Sequence, residues 1–249
     1  MSGRTLLVTG GGRGIGAAVA RVAAGRGWRV AVNYAANEAA AAAVVRTIVE
    51  AGGEAIGVRG DVGVEADVVR MFEAVDNAFG PLDALVNNAG VVDRKTRVDA
   101  MSAARLERIF RSNVIGSFLC AREAVRRMST RHGGRGGAIV NVSSVAAVHG
   151  SPGEYVDYAA SKGAIDSFTV GLAREVAEEG IRVNAVRPGI IATEIHASGG
   201  QPDRIERLRG LVPMKREGEV DEVAHAVLWL LSDEASYTTG AILDVSGGR

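Results

Sequence analysis

Tyr158 and Lys162 stand four residues apart in "EYVDYAASKGAID", so on a helix that starts near Asp157 they lie one above the other. A phenol with its unperturbed pKa of about 10 is a poor base at neutral pH. A neighbouring ammonium favours the phenolate, which turns a tyrosine into a usable proton shuttle. Tyr155 has Ala159 at the same offset, and neither Tyr34 nor Tyr237 has a lysine four residues on, so Tyr158 alone has the pairing. Taken by itself, the pair is also compatible with an ordinary helix surface. A second chemical signal is "TGGGRGIG" (9–16), which follows an apolar strand and opens a helix. Glycines there let the backbone turn tightly and approach a pyrophosphate that meets the free N–H groups of a helix N-terminus. No Gly-Lys-Ser/Thr ending follows, which argues against a P-loop. The spacing of Gly10, Gly14 and Gly16 is wider than the common dinucleotide fingerprint. "NNAG" (87–90) ends another strand, and Asp61 follows a third, where it either takes an adenine amino group or caps the next helix.

Residues so far apart need a scaffold, and the chain alternates short β-branched runs with Ala-rich helical stretches. Strands are expected at 4–10, 28–34, 54–62, 82–90, 137–144, 181–189 and 240–248. Helices are expected near 14–26, 37–53, 64–79, 102–111, 114–131, 157–179 and 219–232. Strands apolar throughout, joined by helices, indicate a parallel sheet covered on both faces. The expected fold class is therefore α/β: one Rossmann-type, doubly wound parallel sheet of about seven strands, forming a single domain over 1–249. The polar stretch 192–215, interrupted by "SGGQP", resists the pattern and reads as a substrate-covering lid.

Composition narrows the function classes. Lys+Arg and Asp+Glu both number 29, so net charge gives no reason to expect binding along nucleic acid or to an anionic membrane. The longest apolar runs fall short of the ~20 residues a membrane span needs. Strand-like sequence from Arg4 leaves no room for a signal peptide, and the lone Cys120 sits in an apolar run, which together point to a reduced, cytoplasmic setting. His149 and His196 stand isolated on loops, and no metal-ligand spacing is visible.

The ordered set "TGGGRGIG", "NNAG", Asn113 in "SNVIGSF", "NVSS" (141–144) and "YAASK" (158–162) resembles the short-chain dehydrogenase/reductase superfamily. The likeness runs from the first strand to the "DVSGG" ending and is greatest toward bacterial glucose dehydrogenases and 3-oxoacyl-carrier-protein reductases. It implies a hydride transfer between a nicotinamide dinucleotide and a carbonyl or secondary alcohol. Tyr158 would be the acid/base, Lys162 would lower its pKa and hold the nicotinamide ribose, and Asn113 would hold a water linking Lys162 to solvent. The family pattern puts the substrate-bonding serine at Ser144, with Ser143 the fallback. Tyr155 and Glu154 are expected at the substrate pocket, as is His149. The cofactor track implied by the resemblance comprises Gly10, Arg13, Gly14, Ile15, Gly16, Asn33, Tyr34, Asp61, Val62, Asn88, Ala89 and Gly90. It continues through Tyr158, Lys162 and the "RPGIIAT" residues Pro188, Gly189, Ile191 and Thr193.

For cofactor choice, relatives that use NAD carry an acid at the end of the second strand, where this chain has Tyr34. Arg13 sits where NADP-using relatives carry a cation that bonds the 2′-phosphate, with a loop cap as the lesser alternative. The second cation such relatives add is replaced by Ala35 and Ala36, so NADP(H) is expected, with NAD(H) use as the alternative and with Asn33 and Asn37 adding neutral bonds. The resemblance also implies a homotetramer built on the 102–131 and 157–179 helices and on the final strand. Relatives that only sense dinucleotide typically lose the Tyr or the Lys, and nucleotide-sugar epimerases carry a longer C-terminal region; neither pattern fits here.

Overall fold

The computed structural model describes residues 3–193 and 204–249. Seven strands, β1 (Thr5–Val8), β2 (Arg29–Tyr34), β3 (Glu54–Arg59), β4 (Ala84–Asn87), β5 (Gly137–Val142), β6 (Ile181–Pro188) and β7 (Ile242–Val245), form one sheet in the order β3-β2-β1-β4-β5-β6-β7. Every pairing is parallel. Between and after them run α1 (Gly14–Gly25), α2 (Glu38–Glu50), α3 (Glu65–Phe79), α4 (Ala103–Phe110), α5 (Gly116–Met128), α6 (Ala146–His149), α7 (Val156–Val176), α8 (Arg204–Arg209) and α9 (Val220–Leu231).

The central strands β1 and β4 are buried at every position and mostly apolar, because both faces of the sheet are covered. Leu6 and Val8 of β1 join Val30 and Val32 of β2 in a core shared with α1, α2 and α9. Leu7, between them, points the other way and packs with Ala31, Leu85 and Ile139 against α3, α5 and α7. Alanines on α1 (Ala17, Ala20, Ala23, Ala24) face Val223, Ala224 and Val227 of α9, and their small side chains let the two helices lie close.

Two expectations are refined. The helices expected at 102–111 and 114–131 are one continuous rod: α4 and α5 are joined by a π-helical turn, Arg111–Ile115. The wider turn places Asn113 in the interior, 1% exposed. Within the stretch read as an irregular lid, α8 is regular, whereas 194–203, which includes His196, lies outside the described residues.

Candidate active site

Strand order reverses between β1 and β4, whose carboxyl ends therefore open a crevice, the usual ligand site of such sheets. The glycine turn at that crevice is held by side chains from three neighbouring strands. The Thr9 hydroxyl accepts from the backbone N–H of Asn88 (2.9 Å) and of Ala89 (3.0 Å) and donates to the Val86 carbonyl. The Asn88 amide donates to the carbonyls of Thr9 (2.9 Å) and Gly10 (3.1 Å). A Cβ on Gly16 would come within 2.5 Å of that amide nitrogen and 2.6 Å of the Gly10 oxygen, so only glycine lets α1 begin this close to β4. Arg13 precedes α1 without capping it through its side chain, and no acid lies in the first turn. The free N–H groups and the positive helix end are thus open to an anion, as a dinucleotide pyrophosphate requires.

The residues expected along the cofactor track divide by what they do here. Ile15, Asn88, Gly90, Pro188, Gly189, Ile191 and Thr193 line the cleft, and Arg13 is exposed beside it. Asn33 does not match the expectation of a free bond near a phosphate. It is 2% exposed; its Oδ1 accepts from Gly10 N (3.1 Å), and its Nδ2 donates to the carbonyls of Val58 (3.2 Å) and Gly60 (2.9 Å). Asn37 likewise caps α2 by accepting from Ala40 N. Tyr34 is half-buried, with its ring 3.6 Å from where a Cβ on Gly57 would stand. Asp61 is exposed, and one of its oxygens accepts from Gly63 N (2.9 Å), so it shapes the turn ahead of α3, whose cap is Val64. Val62 is buried at the start of α5, where Gly116 leaves room for it.

The opposite wall is built from β5 and α7. Tyr155 caps α7 from a buried position, and Tyr158 follows half-buried in the first turn. The Lys162 ammonium lies 5.7 Å from the centre of the Tyr158 ring and donates to the Val142 carbonyl (2.7 Å). Burial pushes the Lys162 pKa down to about 8, against a smaller upward pull from Asp166. The two serines after β5 differ. Ser143 is 2% exposed, its hydroxyl donating to the Lys162 carbonyl at 3.2 Å. Ser144 is half-buried, and its Oγ accepts from Ala146 N at 3.1 Å, which leaves its proton for another partner. Both serines, both tyrosines and Lys162 line one cleft.

Asn113 stands behind this wall. Its Nδ2 donates to Val91 O and Ser161 Oγ (both 3.0 Å), and its Oδ1 accepts from Val91 N (2.8 Å). Its amide thereby ties the π turn to the loop after β4 and to α7. Glu154, expected in the pocket, is not among the cleft residues; its carboxylate pairs with Lys95 (3.4 Å) and Arg207 (3.6 Å). Its position just before a helix gave no sign of which way it turns. The sequence also gave no sign of the buried pair Arg105–Asp157, in which Nε and Nη2 of the guanidinium reach both carboxylate oxygens (2.7 and 3.2 Å). That pair anchors the first turn of α7, and Arg105 also bonds the Arg94 carbonyl at 2.6 Å. Val92, Val145, Ser151 and Arg249 also line the cleft without a motif to announce them, and His149 and Ile190 join them. Among the described residues no cluster of three or more His, Cys, Asp or Glu is placed to hold a metal ion, and no helix is long and apolar enough to cross a membrane.

A phenol, a lysine and a hydroxyl facing a crevice with an uncapped helix end suit proton transfer on an oxygen-bearing carbon beside a dinucleotide. Residues 10–249 match the family model described as enoyl-(acyl carrier protein) reductase. An uncharacterized oxidoreductase of Escherichia coli, YgfF, is 56% identical over 98% of both chains. Glucose 1-dehydrogenase 2 of Bacillus subtilis is 37% identical over 100% of this chain and 95% of its own. A solved Serratia marcescens short-chain dehydrogenase/reductase superposes with a TM-score of 0.91 at 34% identity, covering 99% of this chain and 98% of its own. Members of this group act on CH–OH or carbonyl groups with a nicotinamide cofactor, NAD or NADP, and the open helix end and the glycine-only approach of α1 fit such a group. The chain belongs to the short-chain dehydrogenase/reductase superfamily of oxidoreductases.

Proposed function

We propose that the chain reduces a carbonyl, or oxidises the matching secondary alcohol, with NADP(H) preferred over NAD(H) and with Tyr158, Lys162, Ser144 and Asn113 as the catalytic set. The observation that carries this reading is the shared cleft: Ser144 and Tyr158 line it with Lys162 beneath the phenol, next to the uncapped start of α1. When bound, the nicotinamide supplies or accepts the hydride. In the reductive direction the Tyr158 hydroxyl passes its proton to the substrate oxygen, which the Ser144 hydroxyl holds by a hydrogen bond. The Lys162 ammonium stabilises the negative charge left on the phenol oxygen. Asn113 fixes the distance between the loop after β4 and α7, and with it the depth of the site. Ser143 is replaced by Ser144 in this role because its hydroxyl already bonds the Lys162 carbonyl.

The cofactor preference rests on the absence of an acid at the end of β2, where Tyr34, Ala35 and Ala36 stand, and on the exposed Arg13 at the glycine turn. A guanidinium fork suits a phosphate monoester, and one such cation supports a modest preference. Reduction of a panel of aldehydes, ketones, sugars and acyl thioesters, followed by nicotinamide absorbance with both cofactors, tests the reading. Arg13→Ala is expected to weaken NADPH binding about tenfold, roughly the value of one charge-assisted bond pair, and to leave NADH nearly unchanged. Equal losses for both cofactors would make Arg13 structural.

In this reading the unit is a single catalytic domain and assembles as a homotetramer. Leu106, Ile115 and Phe118 are exposed on the α4–α5 rod, and Phe118 stacks on Phe168 of α7 with ring centres 3.8 Å apart. Such an apolar strip on a soluble enzyme suits a contact between copies. Light scattering at micromolar concentration is expected to return four chains; a monomer mass refutes the assembly.

A further inference from the structure

Lys162 is asked to stay charged in a place that disfavours charge. It is 5% exposed, and among the described residues its ammonium donates to the neutral carbonyl of Val142. Four residues further along α7, on the same face, lies Asp166, itself 8% exposed. Its Oδ2 is held by Arg187 of β6 through Nε (2.9 Å) and Nη2 (2.8 Å), while its Oδ1 is buried with no hydrogen-bond partner among the described residues. An unpartnered carboxylate oxygen costs free energy in the interior unless a nearby positive charge offsets it.

The other charges on the elements packed against α7 are already engaged or stand apart. Asp157 is bound by Arg105 of α4, and Arg108 of that helix by Asp93. Glu107 is exposed, and Arg111 of the π turn packs along Gly63. Arg187 also approaches Asp244 of β7 (3.6 Å), His149 of α6 is exposed, and Glu179, past the far end of α7, bonds Ser129.

We propose that Asp166 is a positioning residue for catalysis: its carboxylate keeps Lys162 in the ammonium form, and Arg187 sets how much of that negative charge the lysine feels. Lys162, Asp166, Arg187 and Asp244 then form a line of alternating charge that runs from beneath the Tyr158 phenol along α7 to the edge of the sheet. The opposing pulls on Lys162, burial downward and Asp166 upward, are consistent with this arrangement. The proposal deepens the reading of Lys162 given above and rests on it only for its kinetic consequence.

The test reads Lys162 directly. Competitive labelling of the free enzyme with acetic anhydride over pH 6 to 11, read by peptide mass spectrometry, gives the midpoint at which the amine becomes reactive. Asp166→Asn keeps the shape and an oxygen for Arg187, and is expected to lower that midpoint by roughly half a unit or more. Asp166→Glu is expected to restore it in part. The alkaline limb of kcat/KM should move with the midpoint, which a merely structural role would not produce. Should Asp166→Asn fail to fold, Arg187→Met serves instead: freeing the carboxylate is expected to raise the midpoint. A folded Asp166→Asn enzyme with an unchanged midpoint, or Arg187→Met with an unchanged or lowered one, overturns the proposal. Because labelling needs no substrate, failure of the carbonyl-reductase reading would show separately, as activity that survives Tyr158→Phe.

Discussion

The two walls of the crevice use polar residues in opposite ways. At the glycine turn, Thr9, Asn33 and Asn88 face inward and bond backbone groups at the ends of β1, β3 and β4, so a bound anion would meet main-chain N–H groups that side chains merely hold in place. Across the crevice, Ser144 and Tyr158 line the cleft, and Lys162 sits under a nearly complete cover of protein. One wall is a backbone mould with its polar groups satisfied; the other carries the side chains proposed to react, over a buried lysine. Substitutions should therefore fail differently on the two sides: loss of folding on the first, loss of rate, sometimes with a gain in stability, on the second.

The largest expected effect is on the reactive wall. Tyr158→Phe removes the transferable proton and is expected to lower kcat by about 10³ or more while NADPH binding, measured by fluorescence titration, changes less than about threefold. Retained turnover on an authentic substrate would break the comparison at its strongest point. Ser144→Ala is expected to cost about 10² in kcat, typical of one lost bond to a developing oxyanion. Ser143→Ala should cost about 1 kcal/mol of stability with little change in rate, because its hydroxyl serves the Lys162 carbonyl. The reverse ranking would exchange their roles.

On the mould side, Asn33→Ala leaves Gly10 N and the Val58 and Gly60 carbonyls short of a partner. Chemical denaturation should show a loss of about 2 kcal/mol, with the NADPH-to-NADH affinity ratio unchanged. A changed ratio would mean that Asn33 reads the cofactor after all. Lys162→Met is expected to act in the opposite sense. The folded pKa of Lys162 is about 8, below its ordinary 10.5, so the unfolded chain binds more protons between these values and stability rises with pH across that window. Below pH 8 the full penalty for the buried charge is present, roughly 3 kcal/mol, offset by about 1 kcal/mol for the bond to Val142. The inactive methionine variant should thus be about 1–2 kcal/mol more stable than the parent at pH 7, with the gain fading toward pH 10.5. A destabilised variant at pH 7 would show that the lysine is well accommodated.

These contrasts also explain what could be read from residue order. The seven strands were legible because each is an apolar run with a turn at its carboxyl end, and Tyr158–Lys162 because a spacing of four means one helix face. Asn33 was misread because its place at the end of β2 suggested a ligand contact. Alternation along the strand decides otherwise: Val32 and Tyr34 face α1 and α2, so Asn33 between them must face α3, where it meets Met71. Arg105 and Asp157 could not be paired in advance, since nothing local brings α4 against the start of α7. The π turn at Asn113 was invisible for a different reason: one extra residue per turn changes the hydrogen bonding without changing the pattern of residue types.

The strand order has a further consequence, for the way the chain comes together in time. β1 is central, yet its two neighbours arrive at very different moments: Leu6 aligns with Val30 soon after it is made, and with Ala84 only after two more helices and β3 have emerged. Until then β1 keeps one edge and its apolar face open, the condition under which parallel sheets fold slowly and stray into contact with other chains. The docking of β4 both completes the sheet centre and brings Asn88 to the glycine turn. The step that closes the open edge of β1 is therefore the same one that makes the crevice.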